Sequence, residues 1–105
     1  MRFETDTHCH TISSGHAYST IAEMAARAAE IGLKLIAMTD HGPAMPDAPG
    51  KTHFRNLRIL PDRIDGIEIL KGAEANILNF DGELDLPDTI LQELELVIAS
   101  LHLPC

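Results

Sequence analysis

The sequence predicts an α/β fold in which about four parallel strands alternate with helices. One observation is an apolar run, Leu33 to Met38, broken only by Lys34, whose length suits a strand buried on both faces. A second is the segment before it, where Ile21, Met24, Ala25, Ala28 and Ile31 recur at helical spacing, so that a helix separates two strands. A third is that the strands finish on polar, metal-capable side chains. Parallel strands turn that pattern into one site, because all their carboxyl ends share one edge of the sheet.

In chain order, Phe3 to Thr7 reads as a short first strand, and the Ser13-Ser14-Gly15 cluster after it is loop chemistry, which puts His16 in a loop. Thr20-Ile21-Ala22-Glu23 has the capping-box pattern, with Ser19 as an alternative cap, and Gly32 stops the helix. The second strand, Leu33 to Met38, gives way to Thr39-Asp40-His41-Gly42-Pro43, where the Gly-Pro pair leaves His41 at the strand exit. Ala44 to Pro61 holds three of the six prolines and reads as a long crossover or lid, with a helical turn around Phe54 to Leu57. Ile67 to Ala73 is the third strand, which delivers Glu74 ahead of Asn76 and the Asp81-Gly82 turn. A short helix over Asp88 to Glu93 precedes the fourth strand, Leu94 to Leu101, which ends on His102. No repeat, low-complexity tract or linker interrupts residues 1–105, so one domain is expected.

Successive side chains on a strand alternate faces, so His8 and His10 project from the same side at chelating distance. Neutral imidazole is the commonest metal ligand at physiological pH. An H-x-H pair also occurs on solvated strand ends without a metal. Four strand ends that each carry such a side chain are a stronger signal. They make His8, His10, His16, His41, Glu74 and His102 the candidate metal set. Cys9 lies between two of these and should face the other side, as core. Asp40 either orients an imidazole or bonds its own turn. His53 is set aside as a surface histidine, and Arg55, Arg58 and Arg63 read as solvated rather than as a phosphate clamp.

An apolar content of 45% in 105 residues bounds the chain to one packed core. The net charge of -8, from sixteen acids against eight bases with no basic cluster, argues against stable nucleic-acid binding. No apolar run approaches the roughly 20 residues of a membrane span, and no leader pattern opens the chain, so a soluble cytoplasmic protein with no membrane partner is expected. Cys9 and Cys105 form no disulfide framework and are expected as reduced thiols.

Asp6-Thr7-His8-Cys9-His10-Thr11 and Thr39-Asp40-His41-Gly42 resemble the first two motifs of the PHP (polymerase and histidinol phosphatase) family. Gly72-Ala73-Glu74-Ala75-Asn76 resembles the third, and Ala99-Ser100-Leu101-His102 the histidine-ending strand that follows. Ser14-Gly15-His16-Ala17-Tyr18-Ser19 is more similar to the small single-domain phosphatase branch than to the polymerase-fused one. The resemblance spans essentially the whole chain and implies a distorted (β/α)7 TIM-like barrel, of which these residues are the N-terminal half.

It further implies two or three divalent metals at the carboxyl-end face, commonly zinc, with manganese or iron also compatible. His8 and His10 would hold one metal, Glu74 would bridge it to a second bound by His102, and His16 and His41 would share a third. The family's later motifs, a further histidine and an aspartate-x-histidine pair, have no counterpart up to Cys105, so each metal would lack one protein ligand. The implied activity is a metal-dependent phosphatase that hydrolyses a small phosphomonoester through a metal-activated water. The implied partners are a small phosphorylated substrate and either a second copy or the remainder of a longer chain. The alternative is a truncated metal-binding or assembly module that cannot turn over substrate.

Overall fold

The computed structural model describes residues 2–102. Five strands form: β1 (Thr5–Cys9), β2 (Leu35–Met38), β3 (Arg63–Ile64), β4 (Ile67–Asn76) and β5 (Leu96–Ser100). Three helices lie between them: α1 (Ile21–Glu30), α2 (Lys51–Asn56) and α3 (Asp88–Leu91). The strands β1, β2, β4 and β5 are parallel and neighbour one another in that order, while β3 pairs antiparallel with the first residues of β4.

β4 is the spine of the sheet. Its first half, Glu68 to Lys71, pairs with β2, and its second half, Gly72 to Asn76, pairs with β5. The pairing steps along β4, so the sheet curls into half a barrel with its carboxyl ends on one rim. The run Gly72-Ala73-Glu74-Ala75 suits this position because small residues let strands approach. A Cβ at Gly72 would run into the Leu96 carbonyl oxygen.

Helix α1 begins as the sequence indicates. The Thr20 hydroxyl accepts from the Glu23 N–H, and the Glu23 carboxylate accepts from the Thr20 N–H at 2.9 Å. The helix buries Ala25 and Ala28, flanked by Ile21 and Met24, against Cys9, Ile36, Met38 and Ile69. A second cluster, Phe54, Leu57, Ala73, Leu86 and Ile90, packs α2 and α3 on the other half of the sheet. Each large apolar side chain so buried contributes about 1.5–3 kcal/mol.

Several boundaries differ from expectation: β2 starts at Leu35 and not Leu33, β4 runs past Ala73 to Asn76, β5 covers only Leu96–Ser100, and α3 ends at Leu91. The first strand starts two residues late, at Thr5 rather than Phe3, because its pairing begins where Thr5 meets Leu35. α2 starts at Lys51, before the expected turn, and β3 was not foreseen. Among the described residues no helix is long and apolar enough to cross a membrane. Cys9 is a buried free thiol, and Cys105 lies outside the described residues.

Candidate metal centre

Glu74 stands near the end of β4 with its side chain only 4% exposed. Its backbone is fixed to the exit of β2 by two hydrogen bonds: the Glu74 N–H donates to the Asp40 carbonyl at 2.9 Å, and Gly42 N–H donates to the Glu74 carbonyl at 2.8 Å. The strand exits of β1, β2 and β5 then bring imidazoles onto the two carboxylate oxygens. Oε1 faces His8 Nε2 in direct contact and His10 Nε2 at 3.9 Å. Oε2 faces His41 Nδ1 at 2.8 Å and His102 Nε2 at 2.7 Å.

A bulge in β1 helps to aim the first pair. Asp6 pairs with Ile36 but Cys9 with Met38, so one extra residue is inserted between them and the strand bends toward the rim. The rings of His8 and His10 end with centroids 5.1 Å apart. Cys9 points into the core, where burial first and then nearby Asp6 push its thiol up to about 12. Among the described residues it belongs to neither group with metal-ligand spacing.

His16 reaches the cluster from the exposed loop after a 3-10 turn over Ile12–Ser14. Its Nε2 lies 3.2 Å from His41 Nε2. Two nitrogens bound at ~2.0–2.1 Å around a tetrahedral cation are separated by about 3.3 Å, so this pair has ligand spacing. Among the described residues the three-residue groups with metal-ligand spacing are His8, His10 and Glu74, and His41, Glu74 and His102. His16 belongs to neither, and its pair with His41 has two nitrogens to offer.

The donor set fits a divalent cation. His41 Nδ1 and Glu74 Oε2 are both buried and, although close, neither has a hydrogen-bond partner. An unsatisfied buried pair of this kind is costly unless an ion satisfies it. Burial, the largest influence, lowers the pKa of both His10 and His41, outweighing Glu74, and their histidine neighbours add to the lowering. Neutral imidazoles with free lone pairs result, which is the form that binds metal.

Residues 6–103 match the PHP domain. The chain belongs to the PHP domain family. A probable phosphatase of Thermoanaerobacter sp. (strain X514) is 59% identical over 105 residues, all of this chain and 43% of that protein. Another, from Caldanaerobacter subterraneus subsp. tengcongensis, is 55% identical over 105 residues and 41% of its own length. A third, from Photobacterium profundum, is 53% identical over 104 residues, 99% of this chain and 42% of that protein. The chain therefore spans less than half the length of the curated relatives it matches.

Behind the histidines of this PHP domain lies a carboxylate whose role spacing alone could not resolve. Asp40 orients no cluster imidazole directly and does not bond its own turn. It accepts from Thr11 N–H at 2.6 Å, Thr11 Oγ1 at 2.8 Å and Ser14 Oγ at 2.7 Å, pinning the turn that carries the chain from His10 to His16. Burial alone would raise its pKa. His53 and the Thr11 and Ser14 donors outweigh that and hold it at about 2. His53 Nε2 is 3.5 Å away and makes no hydrogen bond, so the Thr11 and Ser14 donors carry most of the effect.

His53 is consequently not the surface residue expected. It is three-quarters buried beside Asp40 and Phe54, yet outside the metal-capable groups. A cavity of about 320 Å³ opens next to it between the start of α1 and α2, and none of the six clustered residues lines it. Arg55, Arg58 and Arg63 are exposed, and Arg63 sits in β3 against the amino end of β4, away from the rim.

Proposed function

We propose that the chain carries the amino-terminal part of a metal-dependent phosphatase that acts on a small phosphomonoester. The observation that carries this reading is the division of the buried Glu74, whose two oxygens each face two imidazoles. Such a carboxylate can hold two cations side by side and mask their repulsion. The probable-phosphatase names of the relatives point the same way.

In this reading His8, His10 and Glu74 hold one cation, and Glu74, His41 and His102 a second. His16 and His41 Nε2 would hold a third; because a neutral imidazole has one bare nitrogen, His41 serves either the second cation or the third. The donor set suits zinc, with manganese or iron compatible. Bound divalent cations supply Lewis acidity toward phosphoryl oxygens and make water acidic enough to yield hydroxide near neutral pH. The chain's own residues do the rest. Glu74 sets the spacing, the buried imidazoles stay neutral, and the Asp40-anchored turn keeps His10 and His16 at the rim. Cations also offset part of the net charge of -8, which would otherwise repel an anionic substrate.

Metal content and hydrolysis of p-nitrophenyl phosphate, measured on the same samples, test this. Glu74→Ala should lose both cations and all hydrolysis, His8→Ala should lose bound metal and hydrolysis, and Arg27→Ala, on the exposed face of α1, should change neither. Equal losses in all three would sink the site assignment. The alternative is a metal-binding or assembly module that does not turn over substrate. Full metal content without hydrolysis would select it.

A further inference from the structure

Asp85 and Asn76 lie outside the metal-capable groups, yet they make a tightly connected polar cluster directly behind His102. The Asp85 carboxylate accepts three N–H donors: Asn76 N at 2.8 Å on Oδ1, and Asn76 Nδ2 at 2.6 Å and Ala44 N at 2.9 Å on Oδ2. Asn76 is 3% exposed, and its Nδ2 also donates to the Gly42 carbonyl at 3.2 Å. Gly42 makes room for this arrangement, because a Cβ there would collide with the Asp85 carboxylate.

The chemistry of these partners orients the amide. A carboxylate and a carbonyl can only accept, so the side of Asn76 that faces them must be its NH2. That leaves Oδ1 facing His102 Nδ1 at 2.7 Å. An amide oxygen cannot donate, so Nδ1 must carry the imidazole proton. Nε2, 2.7 Å from Glu74 Oε2, is then a bare lone pair aimed at a carboxylate. In the neutral ring that arrangement is repulsive unless a cation binds both atoms; a second proton on Nε2, which makes the ring an imidazolium, is the other way to relieve it.

We propose that Asp85 and Asn76 are positioning residues that lock His102 in its Nδ1–H form and so present Nε2 to the cation held by Glu74. The proposal rests on the cation reading above for its purpose, but the tautomer it specifies follows from the protein's own hydrogen bonds. Asp85 acts at one remove. It fixes which way the Asn76 amide points, and the amide fixes which nitrogen of the ring is free.

Ring nitrogen spectra of the full chain, labelled with 15N in histidine, test it with and without zinc. In the zinc-free wild type His102 should show a proton-bearing Nδ1 and a pyridine-type Nε2. Asp85→Asn places an NH2 against one of the N–H donors that the carboxylate accepts from, so the hold on the Asn76 amide loosens and the ring proton should spread from Nδ1 onto Nε2. Zinc affinity read at the His102 signals should fall about 10–100-fold, while the His8 signals titrate as before.

A wild-type His102 carrying its proton on Nε2 would overturn the proposal, and needs no variant to fold. So would a folded Asp85→Asn protein with wild-type tautomer and affinity. If the proton spreads as expected but the wild type binds no zinc at His102, the positioning role stands and the proposed function is what fails.

Discussion

His10 and His41 are imidazoles whose charged form is disfavoured by burial, and that has a consequence for how the protein responds to acid. Each has a folded-state pKa below its unfolded value, so as pH falls the unfolded chain takes up protons first. The stability each contributes is present above the unfolded value of about 6.5 and is lost as pH falls through the lower folded value. Other groups titrate too, and the acidic net charge works in the opposite direction, so the wild type alone is not diagnostic. The difference in unfolding free energy between zinc-free wild type and His41→Asn isolates the effect. It should be largest above about pH 6.5 and shrink on acidification. Thermal denaturation across pH 5 to 8 measures it, and a difference that grows toward low pH would mean that His41 is not held neutral by the fold.

At the scale of elements, α1 carries its own start signal. Both halves of its capping box form, so Thr20→Ala should cost about 1 kcal/mol in urea unfolding, and Thr20→Ser should restore most of it. No change in the midpoint would show that this end of the helix is held by packing instead. The same element shows what made parts of the fold legible. Capping, helical periodicity and the Gly-Pro stop after His41 are local signals, and they located α1 and β2 to within two residues. β1 slipped because Thr5 to His8 are exposed and carry no apolar alternation to mark the pairing. β3 is two residues long, one of them an exposed arginine, and exists only because β4 is there to pair with it. α2 has no side-chain cap to announce it.

Five of the six clustered residues were readable for the same reason: each sits at or near a strand exit, and parallel topology brings exits together, while His16 reaches them from the loop after β1. What lay behind them was not. Asp40 meets Thr11 across 29 residues, and Asp85 meets Ala44 across 41, and no spacing rule in the sequence links those positions.

For the molecule as a whole, the decisive feature is that the sheet has two ends. β1 pairs with β2 on one side only, and β5 with β4 on one side only, among the described residues. A closed barrel has no such edges, whereas an open strand offers unpaired N–H and C=O groups to any second strand. Consistent with an edge, Thr5, Asp6, Thr7 and His8 are exposed on both faces of β1, and His8 is also one of the residues on Glu74. A preparation of residues 1–105 should therefore associate in a concentration-dependent way. Two copies paired edge to edge would cover β1 or β5 and could bring a donor of one copy to a cation of the other. Sedimentation equilibrium across a hundredfold concentration range, with zinc content measured on each species, checks this. The expected outcome is metal content that rises with the associated fraction. A cooperatively folded monomer with the same zinc content at every concentration would show that the half barrel holds its cations with its own residues and solvent alone.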